Sequence, residues 1–286
     1  MTLFLASVRD EAEAAIALLA RAEIIDLKEP RRGAIGALDR ETTCSIVSLV
    51  GGRVAVSATI GDLSMHPETI SDAVLEKADC GVDYVKFGLF PDGDARHCLD
   101  ALRPVALRVP LIVVLFADQL PNFDPVAAAA DLGAAGIMLD TADKGSGSLL
   151  AHLDPGQLLS FVTQAKSHGL TVGLAGSLTA ADVPELLPLA PDLLGFRGAL
   201  CRGLRSASLD PASCAAIRAL IPESRATESM APQDYPKRPP KRYASRSGCN
   251  LDGVPHADDG RASDASRPCV HRRHRHRRAL RPRLRA

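Results

Sequence analysis

The 286-residue chain carries 34 basic and 34 acidic side chains, and 46% of its residues are hydrophobic, which is enough for a sizeable core. No apolar run is long enough to span a bilayer, and the N-terminus lacks the basic region and cleavage pattern of a signal peptide. The seven cysteines show no C-x-x-C spacing, which argues against a zinc site or a disulfide framework. We therefore expect a cytoplasmic protein with reduced thiols, no membrane contact and no bound metal.

The neutral balance hides two regions of opposite charge. Residues 222–286 contain 16 Lys and Arg against 7 Asp and Glu, and all seven phenylalanines precede residue 222. Because the later region cannot bury enough apolar surface to offset its ordering entropy, we predict a globular domain at 1–221 and a disordered basic tail at 222–286. The run HRRHRHRRALRPRLR could bind nucleic acid by charge alone, but a solvated charge run is the favoured interpretation.

Short β-rich runs alternate with longer helical patterns along residues 1–221. We predict eight strands, which are LFLASV (3–8), IIDLK (24–28), VAVSAT (54–59), DYVKFGL (83–89), LIVVLF (111–116), GIMLD (136–140), TVGLA (171–175) and LLGF (193–196). Asp-Pro pairs at 124–125, 154–155 and 210–211 mark helix starts. Eight such units in about 220 residues predict an α/β fold, a closed (β/α)₈ TIM barrel. A doubly wound open sheet is the alternative, but no G-x-G-x-x-G follows the first strand.

Only five lysines occur among the first 221 residues, and three of them lie near strand ends. These three are Lys28, Lys86 and Lys144, whereas Lys77 and Lys166 fall in helical segments and are interpreted as surface charge. Barrel enzymes place their active sites at the carboxyl ends of the strands. We therefore expect the three strand-end lysines to converge there.

Acidic residues accompany these lysines. Asp26 lies two residues before Lys28, on the same side of its strand, and Asp140 ends the sixth strand shortly before Lys144. A desolvated amine loses its proton more readily and can then attack a carbonyl to form an imine, while nearby carboxylates relay protons. The sequence therefore predicts a Schiff-base enzyme. The residues alone do not choose which lysine forms the imine.

Glycine-containing turns follow the seventh and eighth strands. The motif LAGSL places Gly176 and Ser177 in the first turn, and GFRGALC places Arg197 and Gly198 in the second. Many barrels hold a phosphate on backbone N–H groups at this point, and either Arg197 or Arg202 is a candidate to add positive charge. We predict a phosphate site formed by Gly176, Ser177, Arg197 and Gly198.

Taken in order, the motifs IIDLKEPRRGAIGA, VSATIGD, DYVKFGL, MLDTADKG, LAGSL and GFRGALC resemble the (5-formylfuran-3-yl)methyl phosphate synthase family, also called 4-(hydroxymethyl)-2-furancarboxaldehyde-phosphate synthase, over residues 2–205. The resemblance implies a cofactor-free barrel enzyme of methanofuran biosynthesis that condenses two molecules of glyceraldehyde 3-phosphate. It implies that Lys28 forms the imine and Lys86 accepts a proton, with Asp26, Asp140 and Lys144 assisting. Lys144 stays a rival for the imine, because class I aldolases commonly use a lysine of the sixth strand.

Two other functions are left open by the sequence. The first is a different imine-forming aldolase that acts on a triose or a related sugar phosphate. The second is a non-catalytic barrel whose basic tail binds nucleic acid. The sequence is also compatible with a homo-oligomer.

Overall fold

The computed structural model of the protein describes residues 1–121 and 124–222. Within these residues, eight parallel strands form a closed barrel in chain order, in which β8 also pairs with β1. The strands are β1 (Leu3–Val8), β2 (Ile24–Leu27), β3 (Ala55–Thr59), β4 (Tyr84–Gly88), β5 (Leu111–Phe116), β6 (Gly136–Asp140), β7 (Thr171–Leu174) and β8 (Leu193–Phe196). The prediction of a (β/α)₈ barrel is confirmed. Of the tail predicted at 222–286, all but Pro222 lies outside the described residues, and its disorder and its contact with nucleic acid stay predictions.

Each strand is followed by a helix that packs outside the barrel. The helices are α1 (Glu11–Leu19), α2 (Arg40–Val50), α3 (Pro67–Asp79), α4 (Ala95–Ala106), α5 (Pro125–Leu132), α6 (Pro155–Ser167), α7 (Val183–Leu186) and α8 (Pro211–Leu220). The side chains of Asp124, Asp154 and Asp210 accept hydrogen bonds from backbone N–H groups in the first turns of α5, α6 and α8. The Asp-Pro pairs therefore start helices as predicted, because the carboxylate caps N–H groups that have no partner within the helix. No helix of the described part of the chain has the length and apolar content needed to cross a bilayer.

The inside of the barrel changes from apolar to polar along the strands. Side chains alternate across a strand, so every second residue points inward. A lower inward layer is apolar and contains Leu5, Ile24, Ala55, Met138, Ala175 and Leu193. Two residues further along β1, β2, β3 and β6, the inward positions are polar, namely Ser7, Asp26, Ser57 and Asp140. The sequence thus places an apolar layer of side chains beneath a polar and charged layer at the carboxyl ends of the strands.

Buried polar contacts close the seam between the first and last units of the barrel. The Glu13 carboxylate on α1 pairs with Arg197, which directly follows β8. The Glu23 carboxylate accepts two hydrogen bonds of 2.7 Å from Arg218 of α8. The Thr2 hydroxyl donates to the Pro191 carbonyl oxygen at 2.7 Å. These contacts hold together elements that lie at opposite ends of the described chain.

The two helical lysines have different surroundings. The Lys166 side chain is 39% exposed and donates to the Ala190 carbonyl oxygen. Lys77, however, is buried and donates to the Leu38 carbonyl oxygen in the loop before α2. The interpretation of Lys77 as surface charge is therefore wrong. Its ammonium group ties α3 to that loop and satisfies a carbonyl group there.

Candidate active site

All five residues predicted for catalysis line one cavity of about 810 Å³ at the carboxyl ends of the strands. Asp26 and Lys28 come from β2 and its end, Lys86 from β4, and Asp140 and Lys144 from β6 and its following loop. Asp26, Lys28, Lys86 and Asp140 are each at least nine-tenths buried. Charged groups this dry must be paired or neutralised, so their partners decide what the cavity can do.

The first charged cluster is centred on Asp26. Its Oδ1 lies 2.7 Å from Lys86 Nζ and accepts a hydrogen bond of 2.6 Å from the Ser57 hydroxyl. The Ser7 hydroxyl donates to Oδ2 at 2.9 Å. Burial raises the pKa of Asp26, but the positive charges of Lys86 and Lys28 outweigh burial and hold that pKa below its usual value. Asp26 is therefore an anion that orients the amine of Lys86.

The second cluster is centred on Asp140, which divides its two carboxylate oxygens between two lysines. Lys28 Nζ lies 3.1 Å from Oδ2, while Lys144 Nζ donates to Oδ1. The backbone N–H of Thr141 also donates to Oδ1, at 2.8 Å. Burial raises the pKa of Asp140, but Lys144 and Lys28 outweigh it and lower that pKa. Asp140 thus connects the two amines as a shared acceptor.

Lys144 loses its proton more readily than an ordinary lysine. Burial lowers the pKa of Lys144 to about 8, with Lys28 adding to the effect and Asp140 opposing it. At pH 7, about a tenth of a lysine with that pKa is a neutral amine, against less than about a thousandth of an ordinary lysine. This side chain can therefore act as a base or as a nucleophile near neutral pH.

The turns after β7 and β8 carry backbone N–H groups at the edge of the same cavity. Gly176 and Ser177 have positive φ values of 103° and 48°, and both line the cavity together with Gly198. No described residue accepts a hydrogen bond from the N–H of Gly176, Ser177 or Gly198. Such a cluster of unused N–H groups can hold an anion.

The structure does not support the predicted use of the Arg197 side chain. Its Nε donates to the Arg205 carbonyl oxygen at 2.9 Å, and Nη1 donates to the Ser7 carbonyl oxygen at 3.2 Å and to Glu13. Its Nη2 donates to Glu13 at 3.1 Å and to the Ala207 carbonyl oxygen at 2.8 Å. All five N–H donors of the guanidinium are occupied. The assignment of this side chain to phosphate is therefore wrong, and Arg197 instead fastens the loop after β8.

Comparison with known proteins identifies the family of the chain. The sequence profile of the family described as 4-HFC-P synthase matches residues 4–218. The chain belongs to the 4-HFC-P synthase family. The (5-formylfuran-3-yl)methyl phosphate synthase of Methanosarcina mazei is 34% identical over 221 residues, which cover 73% of this chain and 94% of that protein. A protein of Methylorubrum extorquens, provisionally given the same name, is 42% identical over 226 residues, which cover 78% of this chain and 93% of that protein.

The predicted resemblance is thus confirmed, and the chain is a member of an enzyme family. Among solved structures, phosphoribosyl anthranilate isomerase from Thermus thermophilus aligns with a TM-score of 0.55 and 18% identity. The alignment covers 77% of this chain and 98% of the isomerase. At that identity, the similarity concerns the barrel fold and not the reaction.

Two further acids of this 4-HFC-P synthase family member follow strands, but both serve the loops. The Asp62 carboxylate accepts hydrogen bonds of 2.6 and 2.8 Å from the N–H groups of Ala34 and Ile35. The Asp118 carboxylate accepts bonds of 2.7 and 2.8 Å from the N–H groups of Ala142 and Asp143. These acids shape the rim of the cavity, because each one fixes the loop that follows another strand.

Sequence reasoning missed the two serines that bind Asp26. Ser7 and Ser57 occupy inward positions of β1 and β3, and their register places each directly beside Asp26. Strict alternation along the two strands was a sufficient signal, since each serine follows an inward apolar residue by two positions.

Proposed function

We propose that this protein condenses two molecules of glyceraldehyde 3-phosphate into 4-(hydroxymethyl)-2-furancarboxaldehyde phosphate, in methanofuran biosynthesis in the cytoplasm. The observation that carries the proposal is the convergence of three lysine amines and two carboxylates in one dry cavity. Two C3 aldehydes supply the six carbons of the product, and phosphate and water leave. The overall change is a condensation with eliminations and involves no net oxidation, so no cofactor is needed.

Lys28 is the proposed imine-forming residue, in keeping with the family resemblance. Before attack, its ammonium group must lose a proton. Asp140 lies 3.1 Å from Lys28 Nζ and also binds Lys144, whose lowered pKa of about 8 makes it a fitting proton acceptor. A proton can therefore pass from Lys28 to Lys144 along the shared carboxylate. The neutral Lys28 then attacks the aldehyde carbon of the first triose, and water leaves as the imine forms.

Lys86 is the proposed base for the next step. The protonated imine withdraws electrons from the adjacent carbon, so a proton on that carbon becomes acidic. Lys86 faces the cavity from β4, and its Nζ lies 2.7 Å from Asp26, which takes its proton and leaves a neutral amine. Removal of the substrate proton by Lys86 gives an enamine. The second triose loses its phosphate, and the enamine carbon forms the new carbon–carbon bond to the terminal carbon from which the phosphate has left. An oxygen of the second triose then closes the ring onto the imine carbon and displaces the Lys28 amine, and loss of a second water completes the furan.

The N–H groups of Gly176, Ser177 and Gly198 are proposed to hold one substrate phosphate. They border the cavity, and no described residue uses them. This keeps three of the four residues predicted for phosphate binding and drops only the Arg197 side chain.

Borohydride trapping tests the imine and its position. The full chain is incubated with glyceraldehyde 3-phosphate and borohydride, and the modified lysine is located by peptide mass mapping. We expect modification of Lys28, its loss in Lys28→Ala, and its retention in Lys166→Ala, which removes an exposed lysine of α6. An adduct on Lys144 would transfer the imine to the rival residue, and an unmodified protein would refute the Schiff-base mechanism.

Product analysis separates the two enzymatic functions. With glyceraldehyde 3-phosphate as sole substrate, a furan aldehyde gives the ultraviolet absorbance of a conjugated carbonyl and releases inorganic phosphate. A different imine-forming aldolase would instead give a reversible aldol product and release no phosphate. The second outcome would overturn the proposed reaction and leave the Schiff-base chemistry standing.

A further inference from the structure

Arg205 is a half-buried cation at the cavity that the steps above do not use. It lies in the loop between β8 and α8 and lines the same cavity as Lys144 and Asp140. The hydrogen bonds that its guanidinium donates go to the Gly33 carbonyl oxygen, at long distances of 3.4 and 3.5 Å. Within residues 1–121 and 124–222, it forms no ion pair with a carboxylate. Its guanidinium N–H groups are therefore available to bind an anion.

The loop that carries Arg205 is firmly anchored. Arg197 donates to the carbonyl oxygens of Arg205 and Ala207, while Arg9 donates to the Ser206 carbonyl oxygen and to the Ser208 hydroxyl. Both of these anchoring arginines also contact the buried Glu13. Arg205 thus projects over the cavity from a fixed backbone, which lowers the entropic cost of binding through its side chain.

The loop that accepts the hydrogen bonds of Arg205 is fixed as well. Gly33 belongs to the loop after β2, and Asp62 accepts hydrogen bonds from the next two N–H groups of that loop. A Cβ atom on Gly33 would lie 2.0 Å from Asp62 Oδ2, so only glycine fits there. Arg205 therefore connects the fixed loop after β8 with the fixed loop after β2.

Arg205 also leaves the cavity with surplus positive charge. Three lysines face two carboxylates, and Arg205 adds a further cation without a close anionic partner. Burial lowers the pKa of Arg205, with Arg197 adding to the effect, and together they outweigh Asp140 and Asp62, which raise it. A desolvated guanidinium of this kind gains most from an anion that brings two or more acceptor oxygens.

We propose that Arg205 binds the phosphate group of the second triose and forms an anion subsite separate from the N–H groups of Gly176, Ser177 and Gly198. This inference rests on the proposed function, because a condensation of two phosphorylated trioses must hold two dianions at once. Gly198 and Arg205 belong to the same loop, but the two subsites use different groups of it, namely backbone N–H groups in one and a guanidinium in the other. One follows β7 and β8, while Arg205 reaches toward the loop after β2. Arg205 also makes the site selective for phosphorylated over neutral aldehydes.

Calorimetric titration of the full chain with sn-glycerol 3-phosphate tests the subsite without requiring catalysis, because this ester has no carbonyl. We expect the wild type to bind two esters and Arg205→Met to lose one of them, with affinity there falling at least about tenfold, as for the loss of a hydrogen bond between charged groups. Arg202→Met is the matched control, since Arg202 lies in the same loop, pairs with Asp210 and does not line the cavity. It should bind both esters.

Steady-state kinetics give the second readout. In Arg205→Met, the KM for glyceraldehyde 3-phosphate should rise at least about tenfold, while borohydride still traps the first triose on the lysine. The variant Arg205→Lys keeps the charge but not the planar guanidinium, so its KM should lie between those of the wild type and Arg205→Met. If thermal unfolding shows that Arg205→Met is not folded, Arg205→Lys takes its place in both measurements.

The outcomes separate this inference from the proposed function. If Arg205→Met binds the ester and turns over the triose as the wild type does, the subsite is refuted and the proposed reaction stands. If the wild type makes no furan but its ester binding depends on Arg205, the reaction fails and the subsite stands. If the wild type binds no ester at millimolar concentration, the subsite is refuted.

Discussion

The pKa of Lys144 links the active site to the stability of the fold. In the folded protein that pKa is about 8, whereas an unperturbed lysine titrates at 10.5. Between these values the unfolded chain keeps a proton that the folded chain has released, so Lys144 adds stability as the pH rises. From the two pKa values, its contribution to the free energy of unfolding grows by about 1.3 kcal/mol between pH 7 and pH 9. The variant Lys144→Met should lack this gain.

The wild type alone does not isolate the effect, because buried thiols titrate in the opposite sense. Burial raises the pKa of Cys98 and Cys214 to about 11 and that of Cys80 to about 12. In the unfolded chain these thiols lose their protons at lower pH, so above about pH 8.5 they lower the free energy of unfolding of the wild type and of each variant by the same amount. Subtracting the free energy of unfolding of Lys144→Met from that of the wild type cancels this contribution.

Urea denaturation at pH 7, 8 and 9 measures the difference. We expect the wild type to gain about 1.3 kcal/mol relative to Lys144→Met across this range. Lys166→Met controls for the loss of a lysine charge at an exposed position. A difference that stays constant or shrinks as the pH rises would refute the assignment of a lowered pKa to Lys144, and with it the proposed proton route through Asp140.

Three further substitutions test the site and the seam. Lys28→Ala should abolish furan formation while the circular dichroism spectrum is unchanged; measurable turnover would contradict the role of this residue. Lys86→Ala should lower kcat about 10²- to 10⁴-fold through the loss of proton transfer, and a rate near that of the wild type would exclude Lys86 as the base. Glu13→Gln leaves the buried Arg197 without its counter-charge and should lower the free energy of unfolding by about 3–5 kcal/mol. In urea denaturation, the matched Glu11→Gln, at an exposed position of α1, should change that free energy by only about 0.5 kcal/mol, so equal losses would contradict the argument.

The barrel was predictable because each of its strands is buried on both faces. Such strands appear in the sequence as short apolar runs between helical patterns, and polar residues within them are conspicuous. β1, β5, β6 and β8 have the predicted boundaries, and the other four strands differ by one residue at one or both ends. The five residues predicted for catalysis follow from the same logic, since inward positions at strand ends must meet in a closed barrel.

The two arginines of the loop after β8 mark the limit of sequence reasoning. Arg197 and Arg205 are the same residue type, and the sequence alone does not show which of them is free to bind a ligand. The position of Arg197 at a strand end favoured it as the phosphate ligand. Its side chain is instead captured by Glu13, which lies 184 residues earlier in the chain. Lys77 is a similar case, because its burial depends on a carbonyl group 39 residues away. Contacts between residues so far apart in the chain leave no local sequence pattern from which they could be predicted.

The ion pairs between the first and last units of the barrel have a consequence for folding. Glu13 and Glu23 must wait for Arg197 and Arg218, which are made 184 and 195 residues later, so a growing chain exposes two acids whose partners do not yet exist. Contacts this distant are slow to form. The nascent protein therefore depends on α8, with which the barrel units end, to become a closed ring. A circular permutant that joins the two ends of the barrel domain and opens it between α4 and β5 would bring these partners close in sequence, and it should close faster than the natural order allows.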